Sequence, residues 1–575
     1  MSKSLLDGIN SPDDIKKLNI YQLTKLSDEI RNMLIDVVSK NGGHLASNLG
    51  VVELTIAIHK IFDCPKDQIV FDVGHQSYTH KILTKRKARF DTLRKKGGIS
   101  GFPKSSESEY DAFIAGHSST SISAACGLAS AKRLKGDDGY VVAVIGDGAL
   151  TGGLAFVGLN NAARANDKII IVLNDNEMSI SKNVGALARY LALIRSSKNY
   201  FNLKDKTEEA LSNIPLIGEN LVKSISWSKD AFKQLLYHSN FFEDLGFQYM
   251  GPVDGHNIEN LCDVLQRAKD LARPVLVHVD TKKGKGYGFA ENNPGAYHGT
   301  SNFDIIKGSP ELPSEDSFSN IFGKYITEMA EKDERICAVT AAMKYGTGLH
   351  HFSARFKNDG RFYDVGIAES HAVTFCAGLA ANGMIPVFAV YSTFLQRAVD
   401  QVIHDASIEK KHIILAVDRA GIVGDDGETH QGVFDVPLLS CIPEIAIYSP
   451  ANYEELKYSL NKAVYDNNGV CVVRYPRGPQ IEYDNAYAFT PDEFNFINQQ
   501  GNNQTIIVTY GRIYGEVCKA HKLLEEEKIC CGILRLNKIA PIPEDAVKIL
   551  SKFNNIFFVE ESIQKGAIGE QLLFL

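Results

Sequence analysis

The sequence predicts an α/β protein of three doubly wound, mainly parallel sheets. Three observations carry that expectation. A chain of 575 residues is too long for one core and suits about three domains. Tyr140 to Ile145 reads as a buried strand, Leu150 to Arg164 as a helix and Lys168 to Leu173 as the next strand, one β-α-β unit. Polar clusters then close both strands, Gly146-Asp147-Gly148 and Asn174-Asp175-Asn176, at the carboxyl ends where such sheets hold ligands.

In chain order, residues 1–307 read as one α/β unit. Within it, 183–240 lacks strong strand signals, carries helix-like patches and Trp227, and reads as an irregular excursion near the site. Residues 308–316, opening Gly308-Ser309-Pro310, form the clearest linker. A second unit, 317–485, has strand-like runs at Ile336 to Thr340, Pro386 to Tyr391, His412 to Val417 and Val470 to Val473. A third, 486–575, has them at Thr505 to Thr509, Cys530 to Leu536 and Ile556 to Val559.

Bulk properties narrow the function. Apolar content of 44% and charged content of 23% are those of a soluble globular protein. A net charge of −7 makes no electrostatic case for nucleic acid or an anionic membrane. No apolar run approaches a membrane span, and the N-terminus has neither a signal-peptide core nor a transit-peptide composition, so a cytoplasmic protein is expected. The ten cysteines are scattered without a Cys-x-x-Cys pair and read as reduced thiols.

Asp147 and Asn176 offer hard oxygen ligands at neighbouring strand ends, and the backbone carbonyl of Met178 offers a third. The set suits Mg²⁺ bridging protein to a diphosphate. Gly148 permits close backbone approach, and the helix start after it favours negative charge. Further words accompany the pair: Gly42-Gly43-His44-Leu45-Ala46-Ser47, Asp72-Val73-Gly74-His75-Gln76, Gly116-His117-Ser118-Ser119-Thr120-Ser121 and Asp418-Arg419-Ala420-Gly421. Together they resemble the 1-deoxy-D-xylulose-5-phosphate synthase family of transketolase-like thiamine diphosphate enzymes, from about residue 4 to the last residue.

The resemblance implies a diphosphate- and metal-binding domain over 1–307, a pyrimidine-binding domain over 317–485 and a transketolase C-terminal-type domain over 486–575. The last is expected to be shortened, since relatives continue past the helix starting near Gly566. It implies thiamine diphosphate and Mg²⁺ as cofactors and a homodimer. His75, Gly116, His117, Ser118, Gly148, Ala149, Asn176 and Tyr287 would bind the cofactor around its diphosphate and thiazolium. Glu369, before the apolar stretch Ala372 to Ala381, would be the carboxylate on the aminopyrimidine, with Phe394 stacked on the ring. His44, His298, His430 and Asp426 would handle protons or hold a carboxylate. Tyr391, Arg419 and Arg477 would hold a substrate phosphate, the two arginines ending strands from which they can converge on one anion. Arg397 is open between such a contact and a solvated surface position.

The implied reaction condenses pyruvate with D-glyceraldehyde 3-phosphate, losing CO2, to give 1-deoxy-D-xylulose 5-phosphate, an isoprenoid and thiamine precursor. Transketolase-type ketol transfer is one alternative. A non-catalytic cofactor-binding relative is the other, and it would be expected to lack Glu369 or Asp147, both of which are present.

Overall fold

Val141-Val-Ala-Val-Ile-Gly146 and Ile169-Ile-Ile-Val-Leu-Asn-Asp175 are β-branched runs with no polar alternation. Strands of that kind are stable only when both faces are covered. The computed structural model describes residues 4–164, 167–178, 185–196, 240–310, 316–424, 427–484, 487, 490, 492–497 and 504–575. Most of 183–240, with Trp227, lies outside the described residues, as do Asp426 and linker positions 311–315. The chain forms two compact units, Met1–Glu311 and Leu312–Leu575.

The first unit holds a five-stranded parallel sheet of Gln68–Phe71 (β1), Val141–Gly146 (β2), Ile169–Asp175 (β3), Gln248–Asp254 (β4) and Val275–Asp280 (β5), in the order β1-β2-β3-β5-β4. One apolar cluster packs the helices Ile20–Asn41, Val52–Ile61 and Ile258–Asp270 on one face. Another packs Ser121–Leu134 and Gly153–Ala162 on the other. Asn19, Asn240 and Asn257 cap helices with their side chains, a role their short amide suits. A small ribbon, Phe303–Asp304 (β6) with Ser309–Pro310 (β7), closes the unit.

The helix expected over Leu150 to Arg164 is two helices, Asp147–Leu150 and Gly153–Ala162. The hydroxyl of Thr151 bonds back to the Gly148 carbonyl at 2.7 Å, and Gly152 takes an extended conformation that caps the second helix. The first helix therefore begins at Asp147 itself.

The second unit holds two sheets. Seven strands lie in the order β17-β12-β13-β11-β10-β8-β9. They are Ile336–Thr340 (β8), Phe362–Asp364 (β9), Ile385–Tyr391 (β10), Ile413–Asp418 (β11), Ala446–Tyr448 (β12), Val470–Arg474 (β13) and Lys538–Ala540 (β17). Four more, Phe494–Ile497 (β14), Thr505–Tyr510 (β15), Gly532–Leu536 (β16) and Asn555–Val559 (β18), lie in the order β14-β16-β15-β18. All pairings are parallel except β12 with β17 and β14 with β16. Through β17 the last third of the chain adds an edge strand to the sheet built by the middle third.

Candidate active site

The register that pairs Gly146 with Asn174 sets the next residues, Asp147 and Asp175, level at the ends of β2 and β3. Asp147 is buried, and one of its oxygens accepts the Gly148 N–H at 3.0 Å. Burial, and then the charge of Asp175, push its carboxyl well above the usual carboxylate range. Asp175 goes the other way. Burial opposes its charge, but the imidazole of His278, at 3.0 Å, and the guanidinium of Arg195 hold it below the ordinary value. Two buried carboxyls side by side, one of them reluctant to ionise, make a donor set that a divalent cation would relieve. Asn176 follows, half-buried, its Oδ1 accepting the Met178 N–H at 3.1 Å.

Asp72, at the end of β1, accepts the N–H groups of Ser119 at 2.7 Å and Ser121 at 3.1 Å. The Ser119 hydroxyl donates to the Ala149 carbonyl at 2.8 Å. These bonds tie Gly116, His117 and Ser118 to the turn that carries Gly148 and Ala149. Gly74, at φ +80, takes a left-handed conformation, and a Cβ there would meet Pro103 at 2.4 Å, so the turn before His75 requires glycine.

Three predicted histidines meet. The rings of His44, His75 and His298 lie 5.0 to 5.7 Å apart, centroid to centroid. Gly43 and Thr300 exchange backbone hydrogen bonds at 2.8 and 2.9 Å, which sets His44 beside His298. Gly42, at φ +70, passes so close to the Thr300 carbonyl that a Cβ would lie 2.8 Å from it. Asn48, wholly buried, donates to the carbonyls of both His44 and His75, at 2.6 and 2.7 Å. Burial, with Lys283 adding to it, pushes His75 down to about 3. Burial and then Lys283 hold His298 well below its usual range. Lys283, 3.3 Å from the His298 ring nitrogen, is itself brought down to about 8 by burial. Both histidine shifts favour the uncharged imidazole at neutral pH. The Nδ1 of His75 is buried with no hydrogen-bond partner among the described residues, a polar atom that a bound phosphate or its water would satisfy.

Tyr287 is placed differently. Its ring packs on Tyr297 and Phe303, and its hydroxyl donates to the Ile305 carbonyl at 2.9 Å. Its described contacts are with the core of the unit.

In the second unit, Glu369 opens the helix Glu369–Ala381 and is 3% exposed. Burial raises its carboxyl, and Arg397, with Nη1 at 3.4 Å, opposes the rise. Arg397 is thereby assigned a partner that sequence left open. Its backbone carbonyl accepts the Ser370 hydroxyl at 2.8 Å, so the two segments are fastened twice. Phe394 stacks on Tyr391 with centroids 5.5 Å apart and meets the edge of His430 at 5.4 Å. The guanidinium of Arg419 lies 4.0 Å over the Tyr391 ring. It also donates to the Gly346 carbonyl at 2.5 Å and lies 3.0 Å from Asp418, whose other partner is the Ser319 hydroxyl at 2.7 Å. Arg477 lies in the turn after β13. That turn runs beside the one bearing Arg419, because β11 and β13 are neighbours and the Ala420 N–H reaches the Tyr475 carbonyl at 3.0 Å.

Sequence reasoning did not single out Lys283, Asp175 or Phe102, whose ring meets that of His44 at 5.6 Å. Lys283 was legible only as part of a basic stretch. Nothing local marks Phe102, which reaches the site from a separate loop.

The family model described as 1-deoxy-D-xylulose-5-phosphate synthase matches residues 6–281. The transketolase pyrimidine-binding domain matches 315–479, and the transketolase C-terminal domain matches 496–574. The 1-deoxy-D-xylulose-5-phosphate synthase of Caldanaerobacter subterraneus subsp. tengcongensis is 49% identical over 99% of this chain and 92% of its own length. The protein of that name from Carboxydothermus hydrogenoformans is 48% identical over 98% of this chain and 90% of its own. The one from Clostridium acetobutylicum is 48% identical over 99% and 92%. On that near-complete correspondence, the chain belongs to the 1-deoxy-D-xylulose-5-phosphate synthase family, with the α/β architecture of transketolase-type enzymes.

Proposed function

We propose that this chain condenses pyruvate with D-glyceraldehyde 3-phosphate to 1-deoxy-D-xylulose 5-phosphate and CO2, using thiamine diphosphate and Mg²⁺. The observation that carries the reading is the intact pair of strand-end sites, Asp147 with Asn176 and Glu369 with Phe394, in a chain that matches the family over almost its whole length.

Bound thiamine diphosphate supplies a nucleophilic carbon and the electron sink for loss of CO2. Asp147, Asn176 and the Met178 carbonyl hold Mg²⁺. His75, Gly116, His117, Ser118, Gly148 and Ala149 would hold the diphosphate, and Tyr287 would support that site from the core of the same unit. Glu369 would be the carboxyl that holds a proton beside the aminopyrimidine ring of that cofactor. A buried carboxyl with a raised pKa is suited to that role at neutral pH. Phe394 stacks on the same ring. His44, His298, His430 and Asp426 move protons at the reacting carbonyls. Burial favours the neutral form of His298, which has one ring N–H to give and one ring nitrogen to accept. Tyr391, Arg419 and Arg477 hold the acceptor's phosphate.

The domain boundaries that go with this reading are 1–307, 317–485 and 486–575. A homodimer is part of it, supported by Leu154, Phe156 and Val157, which stand exposed on the helix Gly153–Ala162. A cytoplasmic location is also part of this reading. No helix among the described residues is long and apolar enough to cross a membrane.

Carboxyl-labelled pyruvate tests the reaction. Label should leave as CO2 at a rate that depends on added triose phosphate, with the five-carbon product formed in equal amount. Two-carbon transfer between sugar phosphates with no label released would overturn the assignment in favour of ketol transfer.

A further inference from the structure

Glu177 stands between two of the oxygen donors assigned to Mg²⁺, Asn176 and Met178. Its φ is +66, the left-handed region disfavoured for a residue with a Cβ. The turn is tied internally by the Glu177 N–H on Asp175 Oδ1 at 3.3 Å and the Met178 N–H on Asn176 Oδ1 at 3.1 Å. Among the described residues, one side chain ties both Asp175 and Glu177 from outside. Arg195, on the helix Ala186–Ser196, points Nη1 at Asp175 Oδ1 and Nη2 at Glu177 Oε1, the second at 3.0 Å. The guanidinium thus spans the residues on either side of Asn176. Its Asp175 arm is buried and its Glu177 arm is largely exposed, so the first is the stronger hold. Asp175 is braced from behind by His278, whose Nδ1 lies 2.8 Å from the Tyr249 hydroxyl.

We propose that Arg195 is a positioning residue for the metal: its two-pronged contact with Asp175 and Glu177 holds the turn in the shape that presents Asn176 and Met178 to Mg²⁺. The inference rests on the Mg²⁺ assignment above. A planar guanidinium can fix residues two apart in a way that a single ammonium cannot. Groups that orient metal ligands commonly change affinity ten- to hundredfold when removed.

The test is calorimetric titration of Mg²⁺ into the full chain with thiamine diphosphate in excess. Arg195→Ala should weaken Mg²⁺ binding by about tenfold or more, and Arg195→Lys should fall between it and wild type. Glu177→Gly, in which the turn needs no holding, should recover part of the loss when added to Arg195→Ala. Mg²⁺ affinity within twofold of wild type in Arg195→Ala would overturn the proposal. So would a double variant no better than Arg195→Ala. Asp147→Ala separates the two levels: if it too leaves Mg²⁺ binding unchanged, the metal assignment itself is wrong. If Arg195→Ala does not fold, a wild-type affinity in Arg195→Lys overturns the proposal equally.

Discussion

The strand-end site of the first unit and that of the second solve opposite problems. In the first, most charge is suppressed, Asp175 with its His278 and Arg195 partners being the exception. Burial makes Asp147 hard to ionise, favours the neutral imidazoles of His75 and His298 and brings Lys283 down to about 8. Backbone exchanges and buried amides fix the parts, as between Gly43 and Thr300 or from Asn48. In the second, burial raises the carboxyls of Glu369 and Asp418 as well, but each has an arginine beside it that opposes the rise: Arg397 for Glu369, and for Asp418 Arg419, which also lies over the Tyr391 ring. The contrast teaches that the first site is preorganised to receive charge from outside, as a metal and a polyphosphate would bring it. The second carries its own counter-charges beside its buried carboxyls.

The largest effect that would sharpen this contrast is on turnover. Glu369→Gln should lower kcat by roughly a hundred- to ten-thousandfold, because an amide cannot exchange the proton. Cofactor affinity should stay near wild type. Exchange of the cofactor's acidic ring proton reads the step directly, and wild-type exchange in the variant would make Glu369 a helix-end residue only.

Next is binding at the first site. Asp147→Ala should weaken cofactor binding by about a hundredfold, since it removes a metal ligand and leaves phosphate charge unneutralised. Asn176→Ala should weaken it less, because the lost ligand is neutral. Titration calorimetry checks both, and equal losses would remove the charge argument.

A smaller effect belongs to the acceptor. Arg419→Ala and Arg477→Ala should each raise the KM for triose phosphate by about ten- to hundredfold, the worth of one charge-assisted hydrogen bond. Activity with unphosphorylated glyceraldehyde should change little. Equal losses with both acceptors would mean that the arginines support the fold instead.

The smallest is a stability difference in the cofactor-free protein. Glu369 has a folded-state pKa above its unfolded value, so it costs stability that appears as pH rises from the ordinary glutamate range through the raised pKa. Glu369→Gln should therefore raise the Tm at pH 7 relative to wild type, and the gap should shrink by pH 4. A gap that grows on acidification would show that pairing with Arg397 outweighs burial.

Much of this was legible in sequence because strand ends are local. The apolar runs before Asp147, Asn176 and Arg419 are short and β-rich, and these residues fall at the carboxyl ends of strands, as expected, whereas β13 ends at Arg474 and Arg477 lies in the turn beyond it. What did not show was anything set by long-range pairing. Phe102 reaches His44 from a loop far along the chain, and Lys283 reaches His298 across a turn of glycines. The break after Leu150 was missed because a helical pattern can continue through Thr151, while its hydroxyl has a better partner in the Gly148 carbonyl. The strand Lys538–Ala540 is only three residues long and lacks an apolar run of its own. Its partner on β12 makes it a strand.

That late strand has a consequence for synthesis. The ribosome releases β12 well before it has made β17, about ninety residues further on. At roughly 5–20 residues per second, the growing chain spends several seconds with the β12 edge of its seven-stranded sheet uncovered. An uncovered edge invites pairing with a neighbouring nascent chain. On a crowded polysome, the interval before residue 540 emerges is therefore the one in which this edge is open to such pairing.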